Sequence, residues 1–411
     1  MAGTRQVRGG RLLPLTVLAS LFCCAPMAAQ EAPANAPKLN LRGFGDARLR
    51  FEAVDTSLAD AEEQALSLRI RSGAELELSP HTSILAEVEA VADLYRDEPQ
   101  GGPPGVLIPD REVLEINRAQ ISHDFGPAQA TAGRQQLSFD DERFVGSVEF
   151  RQNQQTYDAI HLSSAPISGV NVDVVYLWQV NRFLSARNAT SRYRGDTYLV
   201  NIGADTPAGR LTGYHYALDL DDGAATPLSE VNSSVTTGVS LTGRRYWEEI
   251  GLGWRAEYAR QRDHAGNPLD YSADYWRAVG TLDMDGVMII GGHEVLGEGG
   301  ARAFQTPLGT NHAFQGAADL FVVTPDIGLR DTFLDTIWPI GALGPFRGLT
   351  AGLRRHWFAD DTAGNDLGTE WDASLRASIY GVQASLEFAD YSSEAFGVDT
   401  QKLWVSIRRT F

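Results

Sequence analysis

The feature that most constrains this chain is a period of two. In LSLRIRSGAELEL, residues 66–78, the even positions Leu66, Leu68, Ile70, Ala74, Leu76 and Leu78 are apolar or small, while Ser67, Arg69, Arg71, Glu75 and Glu77 take the odd ones. Successive side chains of a strand point to opposite faces, so such a segment has one greasy face and one charged face. The pattern recurs with different residues. Ile84, Val88 and Ala92 oppose Glu87, Glu89 and Asp93; Val170, Val172, Val174, Tyr176, Trp178 and Val180 oppose Asn171, Asp173, Gln179 and Asn181. Leu252, Trp254, Ala256 and Tyr258 oppose Arg255 and Glu257, and Trp371, Ala373, Leu375, Ala377 and Ile379 oppose Asp372, Ser374 and Arg376. Each apolar face is about ten residues long, the length of a strand tilted across a bilayer.

A soluble sandwich also alternates, so the connections must decide. Short ones (Ser79 to Thr82, Gly126-Pro127, Asp205 to Gly209) take turns with long polar ones (Tyr95 to Arg111, Arg182 to Gly195, Asp221 to Ser233). Short periplasmic turns with longer outer loops are the habit of transmembrane barrels, and Trp and Tyr near the ends of the apolar faces fit interfacial girdles. Beyond residue 30 no apolar run reaches the ~20 residues of a spanning helix. Only a barrel then satisfies every backbone group in lipid. The expectation is an all-β, antiparallel transmembrane barrel of about 18 strands, with 16 as the fallback. A direct count of segments gives nineteen; termini on one side of the membrane require an even number, and the count loses its phase between Gly297 and Pro345.

The N-terminus reads as a secretory signal peptide over 1–29. Arg5, Arg8 and Arg11 precede the apolar run from Leu12 to Cys24, and small residues follow at Ala25, Ala28 and Ala29. Cleavage before Gln30 leaves a short periplasmic segment, 30–37, and one barrel domain, 38–411. It also removes Cys23 and Cys24, the only cysteines, so the mature chain has no disulfide. The formal net charge of -18 becomes more negative, since three arginines and no acid are lost, which argues against a nucleic-acid partner. The chain ends KLWVSIRRTF, with Leu403, Val405, Ile407 and Phe411 on one face. This resembles the C-terminal signal by which outer-membrane barrels are recognised by their assembly machinery.

A barrel of this size encloses an aqueous path, so the polar faces should line it. The expected lining is Arg48, Arg50, Arg69, Arg71, Glu75, Glu87, Arg255, Arg354 and Arg376, with Arg42 and Arg408 in the same phase. The cations are almost all arginine, 33 against Lys38 and Lys402. A guanidinium fork matches carboxylates, although base composition alone also enriches arginine. The lumen is mixed, because acids share these faces.

Three stretches are too polar for barrel wall: GRQQLSFDDERFVG (133–146), FRQNQQTYDA (150–159) and RAFQTPLGTNHAFQGAADLF (302–321). With RLRFEAVD (48–55) and REVLEINRAQ (111–120), these stretches resemble the alginate export porins, outer-membrane barrels with arginine-lined pores. The resemblance implies passage of an anionic exopolysaccharide, and places Arg134, Arg143, Arg151, Asn153 and Asp158 in an inner network or constriction. Those residues could brace an inward-folded loop or touch cargo. An uptake porin for small polar solutes would have a similar lumen. Outer-membrane enzymes need a nucleophile or activated water beside a histidine, and none of the eight histidines lies in such a sequence motif or in metal-ligand spacing. No cofactor and no metal are expected; the expected partners are outer-membrane lipid, lipopolysaccharide and an anionic polysaccharide.

Overall fold

The computed structural model describes residues 39–57, 61–97, 108–184, 191–221 and 229–411. The expected signal peptide and the 30–37 segment lie outside the described residues. The rest, from Asn40, forms one barrel of eighteen antiparallel strands, β1 (Asn40–Thr56) through β18 (Thr400–Thr410), each paired with its sequence neighbour. Closure comes from β1, which pairs with both β2 (Ala61–Ser79) and β18. Closing the sheet leaves no unpaired edge, the condition for β-structure in hydrocarbon.

The even strand number is the expected one. The lost phase near Gly297 has a simple cause: 297–328 is a loop, and only the segment after it is wall, as β14 (Leu329–Leu343). Between β2 and β3 (Thr82–Asp97) the chain turns through two residues, as it does between β6 (Thr156–Ile167) and β7 (Val170–Asn181) and between β16 (Asp366–Ile379) and β17 (Val382–Ser393). The opposite end carries the long connections, including 136–155 after β5 (Ala128–Gln135) and 297–328 after β13 (Val287–Leu296).

The alternation sorts as expected on most strands. On β2, Leu66, Leu68 and Ile70 face outward while Arg69 and Arg71 are buried inside. On β7 the phase slips, because Leu177 and Gln179 face the consecutive residues Ala159 and Asp158 of β6, a bulge that inserts Trp178. Val175 and Leu177 are buried in the inward phase of Asn171 and Asp173, and beyond the bulge Val180, expected on the outer face with Trp178, is inside. The aromatic girdle needs a similar correction. Tyr95, Tyr198, Tyr246, Tyr258 and Tyr380 are exposed, but seven of the thirteen tyrosines are buried within the barrel. Those tyrosines form an inner wall against which loops pack.

The end of the chain is tied to the first strand. The Phe411 N–H donates to the Gly45 carbonyl (2.9 Å), and the Gly45 N–H donates to the Phe411 carbonyl (2.8 Å). The Phe411 ring lies where a Cβ on residue 45 would stand, so glycine is required there for close approach.

Candidate functional site

Two loops leave the wall and fill the interior. Residues 136–155 and 297–328 are joined to each other by a parallel bridge between Val145 and Leu308 and by two backbone bonds, Gly146 N–H to Leu308 O and Thr310 N–H to Glu142 O (each 2.9 Å). Their apolar residues dock on the tyrosine wall: the Phe144 ring lies 5.2 Å from Tyr214 and 5.3 Å from Tyr275, and Phe304 lies 5.2 Å from Tyr275. Such aromatic contacts, with buried area, hold irregular backbone inside a barrel. Four non-glycine residues in these loops (Asp140, Glu142, Val148 and Asp319) have left-handed backbone, with φ of 53° to 64°. For the β-branched Val148 that conformation is strained, so its surroundings must impose it.

Arg143 is the knot between the loops and the wall. Its Nε donates to Glu294 on β13 (2.7 Å), Nη1 to Thr306 and Asn311 (3.0 Å each) and Nη2 to Gln315 (3.0 Å), under the Phe314 ring at 4.7 Å. The side chain is 1% exposed, and every nitrogen has a protein partner. A buried guanidinium so satisfied braces; it has nothing left to offer a passing solute.

A second arginine cluster is built differently. Arg48 donates from Nε to Gln152 Oε1 (2.8 Å) and from Nη1 to the Glu149 carbonyl (3.0 Å), with a further bond to the Arg151 carbonyl; it has no carboxylate partner. Arg69 and Arg408 both pair with Asp46, and Arg71 pairs with Glu89. Into this group the 136–155 loop inserts the Glu149 carboxylate, 2.7 Å from Arg71 Nη1, 3.4 Å from Arg69 Nη1 and 3.3 Å from Arg408 Nη1. Nε and Nη1 of Arg69 and Nη2 of Arg71 are buried without a hydrogen-bond partner. Arg48, Arg50 and Arg408 also line a cavity open toward the short-turn end, together with Phe150, Arg347 and Arg376.

Between that cavity and a second one at the loop end stands an aromatic partition. Phe150 stacks on His312 with centroids 3.4 Å apart, and Trp404 meets both edge-on at 5.5 Å. The Arg50 guanidinium lies over the Phe150 ring at 4.3 Å. The loop-end cavity is lined by Arg151, Arg182, His312, Asp319 and Lys402 among others. Asp319 gathers these cations: Arg151 Nη2 at 2.6 Å, His312 Nδ1 at 2.9 Å and Lys402 Nζ at 3.6 Å. Burial by itself would raise its carboxyl, but His312, Arg151 and Lys402 hold it well below the ordinary carboxylate range.

The remaining expected residues are dispersed. Arg134 and Asp158 form a bidentate pair in the wall between β5 and β6 (2.7 and 3.1 Å). Asn153 is buried in the 136–155 loop, 3.5 Å from the Leu184 carbonyl. Glu87 accepts from Asn117 (2.9 Å) and Arg118 (2.7 Å). Arg255 pairs with Glu257 (2.9 Å) and Asp141 (3.3 Å), Arg354 with Asp335 (2.7 Å), and Arg376 with Glu387 (3.3 Å). Glu75 pairs with Arg42 at 2.6 Å near the short-turn rim, where Arg42 is three-quarters exposed. The inner network is thus two assemblies, one around Arg143 and one around Arg151 and Asp319, while Arg134 and Asp158 belong to the wall.

Sequence reading missed Glu149, Phe150, His312 and Trp404. Trp404 lies on the polar face of β18 in KLWVSIRRTF; a lone tryptophan in the inward phase was the available signal. His356 is also held, between Asp331 (2.9 Å) and Asp372 (3.5 Å) on neighbouring strands. Cross-strand register makes that arrangement, and no local motif encodes it.

A closed eighteen-stranded barrel with short turns at one end, loops at the other and an apolar outer face defines an outer-membrane channel of the porin class. Residues 45–283 match the alginate export family, and the chain belongs to that family. Its fold is shared by solved porins of low identity. OccAB4 of Acinetobacter baumannii superposes with a TM-score of 0.72 at 14% identity, and OccK9 (OpdG) of Pseudomonas aeruginosa with 0.69 at 13%, each covering 90% of this chain and 98% of theirs. OpdK of Pseudomonas aeruginosa, crystallised with vanillate, matches at 0.66 and 12% with the same coverage. None of the curated proteins matches this chain.

Proposed function

We propose that the chain is exported with residues 1–29 removed and passes anionic sugars or an acidic polysaccharide by passive diffusion through its arginine-containing lumen. One observation carries the reading: five arginines, Arg48, Arg50, Arg347, Arg376 and Arg408, line one open cavity toward the short-turn end. Guanidiniums fixed in a partly dry lumen attract carboxylates and orient them through paired N–H bonds. Acids interleaved with the arginines keep each contact exchangeable, which conduction requires. Arg151, Arg182 and Lys402 on the loop side continue the same chemistry across the partition. Transport of this kind uses no cofactor.

Small sugar acids, taken up or released, are the second reading. It is favoured by the stacked Phe150, His312 and Trp404 cluster, in which Phe150 lines the one cavity and His312 the other. The crystallisation of OpdK with vanillate, a carboxylate, points to the same ligand chemistry in a barrel of this fold. Swelling of liposomes containing the refolded barrel separates the readings. Fast swelling in glucuronate with slow swelling in glucose supports small acids. No swelling in either, with current block by an oligouronate, supports the polymer. Equal swelling in glucose and glucuronate contradicts anion preference.

A further inference from the structure

Glu149 is a carboxylate of the chain that sits where a carboxylate of a solute would bind. It comes from the 136–155 loop rather than the wall, and its side chain is 34% exposed although its oxygens reach Arg69, Arg71 and Arg408. Apart from the arginines, among the described residues its carboxylate accepts only from Gln154 Nε2, at 3.1 Å. The charges do not balance without it. Asp46 serves Arg69 and Arg408 together, Glu89 serves Arg71, and Arg48 has no carboxylate at ion-pair distance among the described residues. Withdrawing Glu149 therefore leaves four arginines facing two acids, with Arg69 wholly buried and carrying two nitrogens that lack partners.

We propose that the Arg69, Arg71 and Arg408 group is a carboxylate-binding site on the short-turn side of the partition, and that Glu149 is its tethered resident, displaced by the carboxylate of a sugar acid. The inference rests on the channel reading and adds the site, its ligand class and its built-in competitor. Exchange is local. Val148, the residue before Glu149, holds a strained left-handed backbone at φ 53°, kept by its N–H bond to Thr310 Oγ1 (3.1 Å). Phe150, the residue after it, is one half of the aromatic partition. Displacing Glu149 consequently pulls on the ring that separates the cavities, so that occupancy of the site and opening of the path are linked. A tethered group competes at an effective concentration of order mM or higher, so removing its charge should strengthen binding of a free carboxylate by a large factor.

The test is block of single-channel current by D-glucuronate added at the short-turn side, compared between wild type, Glu149→Gln, Glu149→Asp and Glu387→Gln. Glu387 lines the cavity that Arg408 also lines without touching Arg69, Arg71 or Arg408, so its variant makes the same charge change and controls for the general field. The expected result is half-block at a concentration at least tenfold lower in Glu149→Gln, a smaller gain in Glu149→Asp, and less than a threefold change in Glu387→Gln. Equal block in all four, or equal gains in Glu149→Gln and Glu387→Gln, overturns the tethered-resident proposal while leaving the channel reading intact. Absence of current from folded wild-type barrels overturns the channel reading itself. Folding is checked by the heat-dependent gel shift of each barrel, and if Glu149→Gln does not fold, Glu149→Asp against wild type decides, a gain supporting the proposal and none overturning it.

Discussion

Arg143 and Arg71 are both buried arginines of one barrel, each held by a glutamate, and their donors are satisfied differently. Arg143 has all three nitrogens bonded to side chains of the 297–328 loop and the wall. Arg71 has Nη2 unpartnered and shares Glu149 with Arg69 and with Arg408, which lines an open cavity. Burial and residue type do not separate a brace from a binding group; the count of satisfied donors does.

The sharpest way to break this comparison is at the knot. Arg143→Ala leaves Glu294 buried without its cation and should cost about 3–5 kcal/mol, the usual loss on breaking a buried pair. The temperature at which the folded gel band converts to the unfolded one should fall, and Arg143→Lys should not restore it, because an ammonium cannot reproduce the planar fork. A conversion temperature equal to wild type would remove the brace.

Trp404→Ala acts on the partition. It removes a fully buried indole, about 3–5 kcal/mol of packing, and frees the edges of Phe150 and His312. Single-channel conductance should rise at least twofold; unchanged conductance with reduced stability would mean that the cavities communicate by another route.

Arg151 lies between the extremes, since Nη2 is bonded to Asp319 while Nη1 stands 4.0 Å from Glu52 without a hydrogen bond. Asp319 retains His312 and Lys402, so Arg151→Ala should cost only about 1–3 kcal/mol. Reversal potential in a salt gradient should shift toward cations. Stability loss as large as that of Arg143→Ala, with no shift, would make Arg151 a second brace.

The smallest effect is in the loop after β15 (Phe346–Ala359). Asp360 accepts from the amides of Ala363 (2.5 Å), Gly364 and Asn365 (3.0 Å each), which hold its carboxyl down to about 2. A depressed pKa means that the turn's protection is complete above the unfolded value near 4 and is lost as pH falls through about 2. Hydrogen exchange at those three amides should be slow at pH 5 and rise in Asp360→Ala; equal exchange in both would show that the turn does not depend on the carboxylate.

The barrel was legible because lipid enforces alternation. LSLRIRSGAELEL places its leucines outside and its arginines inside, and only bulges such as that at Leu177 shift the phase. The partition was not legible. Phe150, His312 and Trp404 come from two loops and the last strand, and their meeting depends on how the loops fold inward. Glu149 was hidden for a related reason. In sequence it is an ordinary acid beside an apolar residue, and it becomes distinctive only when three arginines from β2 and β18 converge on it.

The most direct test of the account is the reversal potential of the refolded mature barrel in a planar bilayer under a salt gradient, with and without polyuronate at the short-turn side. The account predicts an anion-selective potential and a current block that grows with polymer concentration. A cation-selective potential without block would contradict it, and would mean that the interleaved acids, not the arginines, set the field in the lumen.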